Sequence, residues 1–413
     1  MPSLSSVNTI RTGKMVINNG NMQRYAHIVG WGMAVPENIL TNDDLAAITE
    51  TSDEWIRERT GIHQRYIAND RETTASLGFK AAQRALDTAD ILPDVLDLII
   101  VATSTPDNIF PSTASLIQNM LGAGYAGAFD LSAACSGFVY AVDMAAQAIR
   151  SGSIDTALVI GAETMSRVLD WQDRSTCILF GDGAGAVVLR ARDVPGGVMS
   201  SVLRSDGSGQ DLLGIPSIGS LDRALAGITP EGHRLHKMHM AGGEVFKFAT
   251  RVIGESIREA VQLASIDLSQ LKLIVPHQAN ERIIQAAART LNMERDRFVT
   301  NIDRYGNTSA ASIPMALVEA VEQNRLQPGD YLAFIGFGGG LTWAAMVVQW
   351  SDNKPQNRFG PQRRQATYAR SAVRTWLVQF MRRYADLFNR IRPDYGRLRR
   401  LRRRIEEHSD ELE

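Results

Sequence analysis

The sequence predicts an α/β layered fold made of two similar halves, followed by a helical extension of different character. Three observations point there. Short apolar runs with strand character alternate with longer helix-like runs from about residue 25 to residue 350. Two segments of the first half have look-alikes in the second. Beyond residue 350 the charge balance reverses and one helical periodicity takes over.

Residues 1–24 are polar and rich in Asn, Ser and Thr, which predicts a flexible N-terminal arm. They lack the apolar middle of a secretory signal. Residues 25–200 are expected to form the first half. Within it Thr73 to Asp87 reads as a helix and Leu98–Ala102 as a buried strand. Ala128–Leu131 is a second strand, followed by a helix from Cys135 to about Arg150 that Gly152 is placed to end. Ala157–Ile160 is a third strand. Ala184–Ala191, after the turn Phe180-Gly-Asp-Gly183, is another. Residues 201–240 form a variable loop region. Its Gly-, Pro- and Ser-rich part, Ser205 to Glu231, reads as a surface excursion covering a site.

Residues 241–350 are the expected second half. There Leu271-Lys-Leu-Ile-Val-Pro-His277 resembles Leu96–Ala102, a short apolar strand running into a polar loop. Phe337-Gly-Gly-Gly340 with Thr342–Gln349 resembles the Phe180 turn and its strand. Residues 351–366 predict a linker and 367–413 a basic amphipathic helical tail. Val373, Trp376, Leu377, Phe380, Met381, Tyr384, Leu387, Phe388 and Ile391 fall at helical spacing in one apolar stripe. Pro393 should end that helix, and an arginine-dominated run, Arg397 to Arg404, follows.

The chain has 413 residues, 44% of them hydrophobic, enough for one large core or two fused ones. Its net charge of −1 hides an asymmetry. Residues 351–413 hold 16 Lys and Arg against 8 Asp and Glu, a charge of +8, which leaves −9 for residues 1–350. Two cysteines in so long a chain do not make a disulfide framework and fit a reducing compartment. No apolar run reaches the ~18 residues of a membrane span. The expected location is cytoplasmic, with a membrane-peripheral variant that the tail would provide.

Chemistry concentrates in three segments. In Asp130-Leu-Ser-Ala-Ala-Cys135-Ser-Gly-Phe138 a thiol stands between a strand and an Ala-rich helix. Outward backbone N–H groups and the helix dipole there predict a lowered cysteine pKa. Val275-Pro-His277-Gln-Ala-Asn280 and Tyr305-Gly-Asn307-Thr-Ser supply an imidazole and a carboxamide, suiting acyl transfer through a thioester. Each motif alone has a plainer reading. The cysteine could be a small buried hydrophobe, the histidine a satisfied core residue, and Gly306-Asn307 a turn. The glycines after Phe337 lack dinucleotide-fingerprint spacing.

The combination is more specific. The Cys135 segment, Pro276-His-Gln-Ala-Asn280, Gly306-Asn-Thr-Ser-Ala-Ala-Ser312 and Gly336-Phe-Gly-Gly-Gly340 resemble the signatures of the β-ketoacyl-acyl-carrier-protein synthase III family. Thr51-Ser-Asp-Glu-Trp-Ile-Arg-Glu-Arg-Thr-Gly-Ile62 and Phe180-Gly-Asp-Gly-Ala-Gly185 match as well, so the resemblance runs from about Tyr25 to Trp350.

The resemblance implies a thiolase-like fold, two pseudo-symmetric α/β halves in a layered αβαβα arrangement, and a homodimer. It implies that Cys135 is the acylated nucleophile and that His277 and Asn307 bind the carbonyl of the second thioester. The backbone N–H groups of Cys135 and Gly339 would hold the oxyanion. Thr51, Trp55, Arg59, Arg174, Gly242 and Arg282 match positions that bind CoA or phosphopantetheine. Lys247 and Arg282 match the carrier-protein surface, and Phe110 and Phe337 the acyl pocket, Phe110 reaching across the dimer. Cys177 reads as core, in a strand-like run. Gly242-Gly243-Glu244 departs from the family's usual Gly-Asn-Glu or Gly-Arg-Glu. No metal and no cofactor is expected beyond the substrates, acyl-CoA and malonyl-acyl carrier protein. The implied reaction is decarboxylative condensation of the two, initiating fatty-acid synthesis.

Two other readings stand beside it: an acyltransferase or condensing enzyme of a specialised polyketide-type pathway, and a non-catalytic synthase-like scaffold acting through its tail. The tail itself has three readings. Its stripe packs on the body or self-associates, it lies on an anionic membrane surface, or residues 367–404 recruit an acidic partner such as the carrier protein. Nucleic acid is not expected, since no recognition motif accompanies the charge.

Overall fold

A computed structural model describes residues 23–216, 232–351 and 361–391. The expectations for most of the N-terminal arm, the middle of the 201–240 loop, residues 352–360 of the linker and the arginine run fall outside the described residues.

The alternation read from the sequence builds two sheets with one plan. The first sheet runs Tyr25–Ala34, Gly183–Arg192, Thr156–Glu163, Leu98–Ala102, Gly127–Leu131. Its first three strands are antiparallel neighbours, and the last three are parallel. The second sheet runs Gly197–Ser205, Thr342–Gln349, Tyr331–Gly338, Leu271–Pro276, with the same sequence of antiparallel and parallel pairs. In the fifth place it has only an isolated parallel bridge, Ile274 to Phe298. Leu98–Ala102 and Leu271–Pro276 occupy equivalent places. So do the strands after Phe180-Gly-Asp-Gly183 and Phe337-Gly-Gly-Gly340. Both resemblances seen in the sequence are fold equivalences.

One boundary moves. The strand Gly197–Ser205 pairs with Thr342–Gln349, so the division placed at residue 200 cuts through a strand of the second half. The true division is the short turn Pro195-Gly196-Gly197 between two apolar runs, where both glycines take positive φ. So brief a break leaves little trace in composition.

Two Ala-rich helices, Gly137–Arg150 and Ser312–Glu322, lie between the sheets. Phe138, Val142, Ile149, Ile313 and Leu317 share one buried cluster with Val159 and Val187 of one sheet and Val275, Phe334 and Met346 of the other. Small residues such as Ala141 and Ala145 let helix and sheet approach closely, while Phe138 meets Phe334 edge-on at 6.2 Å. Each large apolar side chain buried here contributes about 1.5–3 kcal/mol. Helices Thr74–Ala89 and Thr113–Leu121 cover the outer face of the first sheet, and Gly242–Leu263 and Glu281–Leu291 that of the second. The order of layers is αβαβα.

The tail helix spans Pro361–Ile391, so residues 361–366 of the expected linker are already helical. Proline suits a first helical turn, where its missing N–H costs nothing. Arg364 is buried and ion-pairs with Asp87 and Asp90. Tyr368 packs into the first-half core and meets Phe79 edge-on at 5.9 Å. Ser371 and Thr375 hydrogen-bond Asn119. Within the described part of the apolar stripe, Val373, Trp376, Leu377, Phe380, Met381 and Tyr384 are exposed rather than packed on the body. The side chains of Leu387, Phe388 and Ile391, and the expected stop at Pro393, fall outside the described residues.

Candidate active site

Cys135 is delivered by a forced turn. After the strand Gly127–Leu131, Ala134 takes φ 46°, the 3-10 turn Ala134–Ser136 carries Cys135, and the helix Gly137–Arg150 begins. The strand Tyr331–Gly338 lies against that turn through glycines. A Cβ on Gly338 would stand 2.8 Å from the Cys135 nitrogen, and one on Gly336 2.8 Å from Ser136 Cα. Any side chain there would push the nucleophile's backbone away.

His277 follows the strand Leu271–Pro276, and its N–H donates to Ile335 O at 2.8 Å. Its Nδ1 is 2.6 Å from Ser312 Oγ, which accepts the Gln278 N–H. In the tautomer that carries the ring proton on Nε2, Nδ1 accepts the Ser312 hydroxyl hydrogen. Burial drops the His277 pKa to about 3, so the imidazole is neutral at ordinary pH.

Asn307 is held by its neighbours. Gly306 has φ 65°, and a Cβ there would meet Leu179 O at 3.0 Å. Asn307 N–H donates to Leu179 O at 2.8 Å, and Gly181 N–H donates back to Asn307 O at 3.0 Å. Beneath them Arg65, wholly buried, donates to Ile178 O and Asn42 Oδ1. The Asn307 side-chain oxygen accepts the Ser309 N–H at 2.9 Å. That fixes the amide and leaves its NH₂ end for the cavity.

Two residues the sequence reading passed over complete the cluster. Ser309 Oγ lies 3.4 Å from Cys135 Sγ and donates to Glu163 Oε1 at 2.9 Å. Glu163, fully buried, also accepts the Ser104 and Thr105 N–H groups and the Thr103 and Thr105 hydroxyls. With the serine hydrogen committed to Glu163, Ser309 Oγ accepts the thiol hydrogen. Ser309 and Ser312 lie within the Gly306–Ser312 motif. Glu163, at the end of a strand, carried no signal.

One expectation is corrected. The strand-to-helix junction does not lower the Cys135 pKa. Cys135 is 7% exposed, and burial pushes its thiol up to about 12, with the Glu163 carboxylate adding to the rise. Loss of water outweighs the lowering that the Ser309 hydrogen bond provides. Cys177 is also corrected in part. It lies on the short helix Arg174–Cys177 rather than in a strand, buried among Leu45, Ile56 and Ile62.

Cys135, His277 and Asn307 open onto one cavity of about 440 Å³. Arg59, Gly242, Lys247, Arg282, Phe337 and Gly338 line it too. Leu213 and Met240, both within the 201–240 region, form part of its wall. Lys247 pairs with Glu244 at 2.9 Å, and the Arg282 guanidinium stands over the Phe246 ring at 5.7 Å. Thr51, Trp55, Arg174, Gly339 and Phe110 lie off the cavity. Trp55 has Arg59 at 5.5 Å and Arg174 at 4.8 Å from its ring, a clamp with one flat aromatic and two cations. Thr51 Oγ1 is buried without a protein partner. A Cβ on Gly339 would meet Leu213 O at 2.9 Å, while Gly338 is the glycine against Cys135. Phe110 is 84% exposed. Among the described residues no cluster of His, Cys, Asp and Glu is arranged to hold a metal ion.

Such a cavity presents a thiol, two uncharged hydrogen-bond donors and a basic mouth, which suits chemistry on a thioester carbonyl. Comparison with known proteins agrees. Residues 129–207 match the family model of 3-oxoacyl-[acyl-carrier-protein] synthase III, and residues 261–350 match the model of its C-terminal part. A β-ketoacyl-[acyl-carrier-protein] synthase III of Roseiflexus sp. is 49% identical over 80% of this chain and 100% of its own. The crystal structure of 3-oxoacyl-[acyl-carrier-protein] synthase III from Aquifex aeolicus superposes with TM-score 0.73 at 45% identity, covering 79% of this chain and 100% of that one. The priming β-ketosynthase of the R1128 polyketide pathway superposes with TM-score 0.75 at 36% identity, covering 80% and 98%. With identity of this extent over a relative's entire length, and a two-sheet thiolase-like body around the shared cavity, the chain belongs to the β-ketoacyl-acyl-carrier-protein synthase III family of condensing acyltransferases.

Proposed function

We propose that this chain condenses an acyl-CoA primer with malonyl-acyl carrier protein, with loss of CO₂, to give a β-ketoacyl-acyl carrier protein. One observation carries the reading: Cys135, His277 and Asn307, from three distant segments, share one cavity.

Acylation comes first. The Cys135 sulfur attacks the acyl-CoA carbonyl, the bond to CoA sulfur breaks, and CoA leaves with the proton the thiol gives up. Because the resting thiol is protonated, it needs an acceptor as the new bond forms. Ser309, backed by Glu163, is placed to take that hydrogen. The N–H groups of Cys135 and Gly339 are the oxyanion donors in this reading. Malonyl-carrier protein then enters. Its C–CO₂ bond breaks and the electrons flow to the thioester oxygen, which His277 Nε2–H and the Asn307 amide hold. A neutral imidazole serves this step, since it donates a hydrogen bond without giving up a proton. The enolate carbon attacks the acyl-Cys135 carbonyl, the carbon–sulfur bond breaks, and the Cys135 thiolate takes a proton from solvent.

Trp55 with Arg59 and Arg174 is the clamp for the adenine end of CoA, and Arg282 and Lys247 meet the acidic carrier protein. The exposed Phe110, with Ile109 and Tyr125 also exposed, supports a face that a second copy covers in a homodimer, where Phe110 reaches the partner's acyl pocket beside Phe337. No cofactor takes part. The 36% identity to a polyketide priming synthase supports a second reading in which the same acyl-cysteine serves a specialised pathway.

Intact-protein mass spectrometry after a panel of acyl-CoAs, followed by malonyl-carrier protein, tests the proposal. The expected result is one acyl mass on Cys135 that disappears as CO₂ and β-ketoacyl-carrier protein form. No acyl adduct across the panel would overturn it.

A further inference from the structure

The C-terminal helix has two faces with different partners. Positions 364, 368, 371 and 375 lie on one side, and they are the ones that touch the body. Positions 373, 376, 377, 380, 381 and 384 lie about half a turn away. These six residues are large, apolar and 45–63% exposed, and Trp376, Phe380 and Tyr384 stack along the helix at 5.5 and 6.4 Å. The docking face fixes the helix on the body with a buried arginine, and so fixes which way the apolar face looks. Beyond Thr375 no described hydrogen bond or ion pair ties the helix back.

We propose that this outward face binds the surface of an anionic lipid bilayer. Charge supports that occupant. Arg370 and Arg374 border the stripe on one side and Arg383 on the other, all exposed, and none pairs with a described carboxylate. From Asn353 to Ala385 the sequence contains no Asp or Glu, and six further arginines fall between Arg397 and Arg404 inclusive. Aromatic and aliphatic residues flanked by arginine are the composition of a helix lying in the headgroup region, rings in the acyl boundary and guanidinium groups on phosphates. No described helix is long and apolar enough to cross a membrane, so this one lies on the surface.

A second copy of the helix fits less well. Pairing two stripes would bring Arg374 and Arg383 beside the same arginines of the other copy, with no acid in the segment to meet them. An acidic protein would satisfy the arginines and leave six large apolar side chains in water.

The test uses the full-length protein with vesicles of phosphatidylglycerol and phosphatidylcholine, and with phosphatidylcholine alone. Flotation with the anionic vesicles is expected, at least about tenfold weaker without the anionic lipid and weakened by high salt. The double variant W376E/F380E, altered only at exposed positions, should lose flotation and keep soluble condensation activity. Brominated lipid should quench tryptophan fluorescence in the parent protein and less in W376F. Flotation that is absent, or unchanged in W376E/F380E, overturns the proposal. So does an assembly that sedimentation shows to be dissolved by W376E/F380E in the absence of lipid, since that result assigns the stripe to a second copy. Condensation activity is read separately, so failure here leaves the catalytic reading standing.

Discussion

The two halves enter their central helices through the same backbone device and use it differently. In the first half the 3-10 turn Ala134–Ser136 begins on Ala134 at φ 46° and leads into Gly137–Arg150. In the second, the turn Ser309–Ala311 begins on Ser309 at φ 49° and leads into Ser312–Glu322. The turns face each other, with Cys135 Sγ 3.4 Å from Ser309 Oγ. One turn carries the nucleophile. The other carries the hydroxyl that receives its hydrogen, the amide that holds a carbonyl just before it, and the serine that orients His277 just after it. The same backbone geometry occurs twice; side-chain identity makes one turn a nucleophile and the other its polar frame.

Removing the nucleophile erases the difference. Cys135→Ala should abolish acyl-enzyme formation and lower condensation by at least about 10⁴-fold, read by mass spectrometry and product assay. Stripping the frame should leave the nucleophile able to react. His277→Ala and Asn307→Ala should still form acyl-Cys135 while malonyl-dependent CO₂ release falls about 10²- to 10³-fold. Loss of acylation in both would assign those residues to the first step. Gly338→Ala attacks the close approach between halves. Its Cβ would stand 2.8 Å from the Cys135 nitrogen, so stability should fall by about 1–3 kcal/mol and acylation should slow, measured by thermal unfolding and adduct formation.

Subtler changes sharpen the comparison. Ser309→Ala and Glu163→Gln should each slow acylation about tenfold and shift its pH profile, while CO₂ release from a pre-acylated enzyme stays near the parent rate. The last effect is confined to stability at acid pH. His277 has a folded pKa of about 3 against an ordinary value of 6.5, so as pH falls the unfolded chain binds the extra proton first. Its contribution to stability is intact above about pH 6.5 and is lost as pH falls toward 3. His277→Asn should flatten that part of the dependence of unfolding on pH, measured by denaturant titration.

Much of the site was legible along the chain because acyl-transfer chemistry confines itself to short motifs. Cys135, His277 and Asn307 stood out beside their glycines. The glycines told of close backbone approach without saying to what; Gly338 against Cys135 and Gly306 against Leu179 O appear only once distant strands meet. Glu163 was invisible because a carboxylate at a strand end looks like any other until three polar residues of a neighbouring loop converge on it. The cysteine pKa departs from expectation for a related reason. The helix end is a local property of the sequence, but burial depends on everything that closes over the thiol.

The tail draws the same line. Apolar spacing by itself determined a helix and a stripe, and composition by itself determined the charge of the tail, since both are properties of neighbouring residues. Tertiary structure alone decided which face of the helix docks. Arg364 reaches Asp87 and Asp90 across more than two hundred and seventy positions of chain, and a buried charge must take its partner wherever the fold has put it. That contact turns the apolar stripe outward. The sequence therefore determined what the two surfaces of this helix are made of, and only the folded body decided which of them meets water.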